Sequence, residues 1–324
     1  MEKSTCKAIP SNRLKFFPIM MFAVVMGLSG LTIVFQKAAS ILGFWSVFGN
    51  LFAGVDLIVF ITIFLFYVMK GIKYFDEVKK EFAHPVRINF FAASSISFLL
   101  LCIVFHDIHS GVSHMFMYIG IIMQTFFTFY TIRFWINNNL EIQHSNPAWF
   151  IPIVGNVLVP VAGGGYLSNH FLMYYFSIGI FFWVVLTAIL INRIIFHHQL
   201  AQKFVPTLFI FIAPPAIAFI AYIKMYESFD VFASFLYNLA LFFTFMLFFM
   251  YKNFLKLQFF ISWWAFTFPL AAVSIASMVA YKISSIQMYS YFAYLFIVVT
   301  TLTVGIVALR TLEHMLKKEI CIAE

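Results

Sequence analysis

The residues 263–277 (Trp-Trp-Ala-Phe-Thr-Phe-Pro-Leu-Ala-Ala-Val-Ser-Ile-Ala-Ser) place a proline, three hydroxyls, several alanines and bulky rings in one apolar run. No nucleophile beside a base and no ligand cluster stands in it. The chemistry within its reach is to line and close a path for a solute. Pro269 has no N–H, and its ring collides with the carbonyl four residues back, so a helix through it is expected to bend and release the Ala265 carbonyl. Inside a bilayer that carbonyl needs a protein neighbour or water. Ser274 and Ser277 can donate to a passing anion, and Ala265 and Ala272 leave room beside them. Phe268, just before the bend, has the size and apolarity to plug such an opening.

Other polar groups in apolar surroundings extend the candidate lining. Ser94 lies in Ala92-Ala93-Ser94-Ser95, and Asn156 follows Pro152. Pro18, Pro160, Pro214 and Pro215 are further kink candidates. Asp56 is the only acid well inside an apolar segment, and it reads as a group paired within the subunit rather than a proton site. His106, Asp107, His109 and His114 gather in a short turn, which reads as solvated and not as a metal centre. His197 and His198 lie in a loop. Nearly all nine histidines stand in loops or at segment ends, which removes the facing pairs that a haem enzyme would need. The reading is therefore no enzyme, no metal and no cofactor. The cysteines, Cys6, Cys102 and Cys321, give no disulfide framework.

The elements that must position these residues follow from composition. With 63% hydrophobic and 10% charged residues, the 324-residue chain cannot coat a soluble globule. A span needs about 20 apolar residues to cross a core of roughly 30 Å. Ten segments qualify: 16–35, 44–69, 88–104, 112–132, 150–167, 171–191, 207–223, 231–250, 263–281 and 288–309. With ten spans, 17 of the 20 basic residues fall on the side of the N-terminus, and only Lys37, Lys224 and Lys282 on the other. That asymmetry puts both termini in the cytoplasm. It also makes the net charge of +8 a topology signal rather than a nucleic-acid footprint. Residues 1–15 and 314–324 read as cytoplasmic tails around a 16–313 membrane domain, with no cleavable signal peptide.

Every proline within a span lies in an odd-numbered one, and Pro85, Pro147 and Pro206 precede odd spans. Bent helices need satisfied backbone, whereas straight Phe- and Leu-rich helices can face acyl chains. The expected fold is all-α and integral to the membrane. Its ten transmembrane helices form five helical hairpins of about sixty residues, with an inner ring of five odd helices around a pore and an outer ring of five even helices. The 46 phenylalanines mostly report lipid contact.

Four segments carry a family resemblance. They are Tyr74-Phe75-Asp76-Glu77-Val78 with Glu81-Phe82-Ala83-His84-Pro85-Val86-Arg87, Asn146-Pro147-Ala148-Trp149-Phe150-Ile151-Pro152-Ile153-Val154-Gly155-Asn156, Ala213-Pro214-Pro215-Ala216, and residues 263–277. In this order they resemble the tellurite-resistance and dicarboxylate transporter family, which includes bacterial TehA and the slow-type anion channels of plant guard cells. The resemblance implies a homotrimer in a bacterial inner membrane, with a pore in each subunit closed by a phenylalanine of the ninth helix, here Phe268.

No Lys, Arg, Asp or Glu falls in the five odd spans so drawn. A site for a dicarboxylate would need a cation. The chain therefore reads as a gated channel for small monovalent anions, with Arg87, Lys203 and Lys252 as a cytoplasmic basic rim. The alternative is a secondary transporter or exporter of oxyanions or C4-dicarboxylates such as tellurite, sulfite or malate. The partners expected are lipid and small anions.

Overall fold

The computed structural model describes residues 13–321, so Lys3, Cys6, Lys7, Pro10 and residues 322–324 of the tails lie outside the described residues. Among the described residues the chain is helical, and an isolated bridge between Gly164 and Leu167 is the nearest approach to a strand. Nine helices are long and apolar enough to cross a membrane: α1 (Ile19–Leu42), α2 (Ser46–Lys73), α3 (Arg87–Phe105), α4 (Ser110–Asn137), α6 (Asn169–Phe196), α7 (Gln202–Tyr226), α8 (Val231–Phe249), α9 (Ile261–Ser284) and α10 (Gln287–Leu316). Between α4 and α6 lies the shorter apolar α5 (Pro147–Gly163). Several helices outrun the expected spans because α-helical hydrogen bonding continues past the hydrocarbon edge. Lys70 and Arg193 belong to last turns, and Arg133 and Arg310 stand further inside their helices, rather than in loops.

Burial separates the helices into two kinds. The apolar windows of α1, α3, α7 and α9 are 72–94% buried, and those of the even helices only 22–44%. The even helices expose large apolar side chains, among them Leu51 and Ile58 on α2, Ile122 and Phe129 on α4, and Leu302 and Ile306 on α10. Such faces belong in acyl chains. Each even helix packs on the odd helix before it, and contacts among the odd helices run from α1 to α3, α5, α7, α9 and back to α1. At the α1–α9 crossing a Cβ added to Gly27 would stand 2.2 Å from Thr267 Oγ1. Glycine is thus required where the Thr267 hydroxyl and the Trp264 ring press against the α1 backbone.

The odd helices differ from the even ones in backbone as well. Each of them begins with a 3-10 stretch: Ile19–Met21, Arg87–Phe90, Pro147–Trp149, Gln202–Ile212 and Ile261–Phe266. This corrects the expected proline kinks. Pro18 is extended (φ −82°, ψ 143°) and precedes the first 3-10 turn, so it bends no helix. Pro214 and Pro215 occupy the first turn of the α-helical part of α7, and Pro269 the first turn of that of α9. Proline's fixed φ suits the first turn of an α-helix, where its ring has no preceding α-turn to collide with. Ala265 accordingly lies within a 3-10 segment instead of below a kink.

α5 is broken twice, with the 3-10 turn Gly155–Val157 between short α-helical pieces, and Pro160 lies in the second piece. Its freed Pro152 carbonyl accepts from Gln124 Nε2 (2.9 Å) and Thr128 Oγ1 (2.8 Å) of α4. An outer helix thereby satisfies the irregular backbone of an inner one, as a bilayer requires.

Candidate functional site

A central cavity of about 80 Å³ is walled by the five odd helices and no others. The spacing of its lining residues follows from the local backbone. From α1 come Met20, Ala23 and Met26; from α7 come Thr207, Ile210 and Ala213; from α9 come Ser262, Ala265 and Phe268. On α7 and α9 these steps of three are what 3-10 geometry eclipses onto one face, since it repeats every 3.0 residues, whereas Ala23 and Met26 of α1 already lie in α-helix, where residues three apart also share a face. Ala213 to Ile217 on α7 is then an α-helical step of four. Phe268 keeps accessible surface while its neighbours Thr267 and Pro269 are buried, because its ring lies against this space. Pro214 and Pro269 join the wall. Two hydroxyls line it, and both are engaged: Thr207 donates to the Phe204 carbonyl and Ser262 to the Lys203 carbonyl.

The other lining candidates turn away. Ser94 donates to the Phe91 carbonyl (2.6 Å). Asn156 donates to Thr128 Oγ1 and to the Ile153 carbonyl. Ser274 donates to the Leu270 carbonyl and meets Thr300 of α10 at 3.0 Å. Ser277 donates to the Val273 carbonyl and accepts from Tyr237 of α8. Ala272, Pro160 and Pro215 are likewise off the wall. A hydroxyl inside a membrane protein takes the nearest carbonyl or outer-helix partner, and these have done so. The periodicity carried part of this signal, because nine residues at 100° per residue set Ser277 opposite Phe268.

Asp56 faces α1 and is fully buried. Its Oδ2 accepts from Ser29 at 2.6 Å, while Oδ1 has no hydrogen-bond partner. The expected pairing within the subunit is thus to a hydroxyl, and the group stands behind the cavity wall rather than on it. At the outer turn His106 and His114 flank the Tyr166 ring at 5.0 and 4.1 Å.

On the side of the N-terminus the cavity opens into a vestibule of about 620 Å³, the two sharing Met20, Phe90, Ile261 and Ser262. Arg87 and Lys203 line it, and Lys203 lies over the Phe204 ring. Lys252 does not, since the short helix Lys252–Leu255 carries it away from the mouth. The sequence reading missed Lys15, Lys80, His314 and the tail residues Glu319 to Cys321, which also line this space. Chain order hid them, because the lining comes from both ends of the sequence. Lys80 at 2.9 Å, with Lys15 at 3.5 Å, holds the exposed Glu77 carboxyl below its ordinary range.

Lys70 was read only as a topology marker, yet it is 1% exposed. Its ammonium pairs with Glu81 at 2.8 Å and donates to the Phe17 carbonyl at 2.8 Å, and Tyr67 donates to the same Glu81 oxygen. This node ties the end of α2, the amphipathic helix Phe75–Phe82 and the entry to α1 beside the vestibule. In chemical terms the arrangement is a vestibule lined by several basic side chains beside a small, predominantly apolar cavity. Among the described residues no cluster of His, Cys, Asp or Glu could hold a metal ion, and no Lys or Arg lines the cavity.

Comparison with known proteins agrees with this construction. The family model described as voltage-dependent anion channel matches residues 16–312. The chain is 29% identical over 290 residues to the S-type anion channel SLAH2 of Arabidopsis thaliana, covering 84% of this chain and 56% of that protein. It is 27% identical over 309 residues to an uncharacterized transporter of Methanocaldococcus jannaschii (87% and 90% covered). It is 24% identical over 299 residues to the tellurite resistance protein TehA homolog of Haemophilus influenzae (91% and 90%). The chain therefore spans little more than half the length of the plant relative. Since the family model's match takes in nearly the whole chain, the chain belongs to the SLAC1 family of voltage-dependent anion channels.

Proposed function

We propose that the protein is a gated channel for small monovalent anions. The path runs through the circuit of odd helices in each subunit of a homotrimer, and Phe268 closes it. The observation that supports this reading is the combination at the cavity, the waist of that path, of an apolar wall, no Lys or Arg and a partly accessible ring, beside a vestibule lined by several basic side chains. A carrier that held a dicarboxylate would have to pair a desolvated dianion, and the waist offers no partner. Weakly hydrated monovalent anions lose least on entering such a segment.

The test is ion flux in liposomes containing the purified protein, with chloride, nitrate, sulfite and malate compared. Chloride and nitrate are expected to move down their gradients without a proton gradient, and malate much more slowly. Malate or sulfite flux that depends on a proton gradient, with no chloride flux, would overturn the channel reading in favour of the coupled carrier.

The same reading places the vestibule on the cytoplasmic side, where the basic residues gather. Reporters fused after Lys15 and at Glu324 should then read cytoplasmic, and one at Ser110 external. An external C-terminus would invert the vestibule.

A further inference from the structure

Lys224 stands near the outer end of α7 between Ile223 and Met225, which are both buried, yet its own side chain is accessible. A lysine at such a place ordinarily snorkels outward to water. This one folds inward. Its Cγ, Cδ and Cε lie 2.9 Å from where a Cβ on Gly164 would stand, and its ammonium donates to the Val161 carbonyl at 2.8 Å. It is also close enough to Lys37 on α1, and to Cys102, His106 and Asp107 on and just after α3, to interact with them electrostatically. α7 packs along α5 and α9, its neighbours in the circuit. The Val161 carbonyl adjoins that of Ala162, which accepts from Cys102 Sγ of α3 at 3.6 Å, so the ammonium lies where the outer ends of α7, α5 and α3 meet. Among the described residues no carboxylate lies within ion-pair distance of it, and that one carbonyl is its hydrogen-bond partner. Two ammonium N–H bonds therefore remain for a ligand, and an unpaired ammonium at a membrane edge calls for an anion.

We propose that Lys224 forms an outer anion-binding subsite, at which its ammonium holds a small monovalent anion and sets the rate of anion entry from the outside. The subsite rests on the reading of the odd-helix circuit as the anion path. Two features favour capture followed by release over tight binding. The Val161 carbonyl shares the ammonium, and Lys37 adds like charge nearby, so the anion is drawn in by the field of the mouth without being enclosed.

The experiment uses chloride as the probe and the full-length Phe268→Ala protein as background, with current measured against chloride on each side in turn. Lys224→Gln keeps a donor for the Val161 carbonyl and removes the charge. It is expected to raise the external chloride giving half-maximal current by about five-fold, an effect of the size that charge focusing produces. The internal half-maximal chloride should stay as it was. Lys224→Arg should restore the external value. Gly164→Ala, at a backbone φ of −62° that alanine adopts freely, should displace the lysine without removing its charge and shift the external value in the same direction. The external shift should shrink at high ionic strength.

A conducting Phe268→Ala protein whose external chloride dependence is unmoved by both Lys224→Gln and Gly164→Ala overturns the subsite and leaves the path intact. Equal shifts on both sides also overturn it, in favour of a structural role. No conductance from Phe268→Ala itself overturns the path, and the subsite with it.

Discussion

Phe268→Ala is expected to raise anion conductance at least roughly tenfold, since lowering the barrier by about 1.4 kcal/mol is enough for that. The ring borders a cavity of only about 80 Å³, and its removal widens the waist where an anion must shed water. Pro269 remains, and so does the junction between 3-10 and α-helical turns that orients position 268. Truncating a fully packed phenylalanine costs roughly 3 to 5 kcal/mol. Phe268 is only partly buried, so the folding penalty should be smaller and the variant should express. Phe266→Ala is the control. That ring lies edge-on to Phe209 at 4.8 Å and to Phe254 at 5.8 Å, away from the cavity, so its loss should weaken the protein without opening it. Equal currents from wild type and a well-expressed Phe268→Ala protein would take the gate away from this residue.

The second large effect is on folding. Lys70→Met removes the partner of Glu81, whose side chain is 7% exposed, and leaves a carboxylate held only by the Tyr67 hydroxyl, with the Phe17 carbonyl unpaired. Breaking a buried pair from one side costs about 3 to 5 kcal/mol, so the yield of monodisperse protein in detergent and its melting temperature should fall sharply. Lys70→Met with Glu81→Gln removes the buried charge and keeps an acceptor for Tyr67. Most of the stability should return. A double variant no more stable than the single one would mean that the lysine matters for its bond to Phe17 and not for its charge.

Much of the architecture was legible because the quantities that fix it are sums over long windows. Twenty apolar residues decide membrane entry regardless of the order of the side chains. The division between polar-interrupted, proline-bearing segments and Phe-rich ones likewise foretold which helices are buried: the α9 window is 78% enclosed and that of α2 only 22%. Phe268 was the candidate because its ring stands directly before Pro269 and the small residues that follow.

Azimuth was not legible, and it decides the lining. The stretch Ile261–Phe266 is 3-10 rather than α. At 120° instead of 100° per residue, six residues turn the preceding face by about 120° relative to a continuous α-helix. That is why Ser262, Ala265 and Phe268 share the wall, while Ser274 and Ser277 meet α10 and α8.

The sequence by itself determined an integral membrane protein built of apolar helical segments, and its family, because partition between water, lipid and protein adds up residue by residue. Only the tertiary structure decided that the hydroxyls face outward, that Lys70 is buried against Glu81, and that Lys224 turns in over Gly164. Each of those depends on a partner supplied by another part of the chain, from 11 residues away for Glu81 to 60 for Gly164. A single hydrogen bond or a missing Cβ on that partner sets where the side chain points.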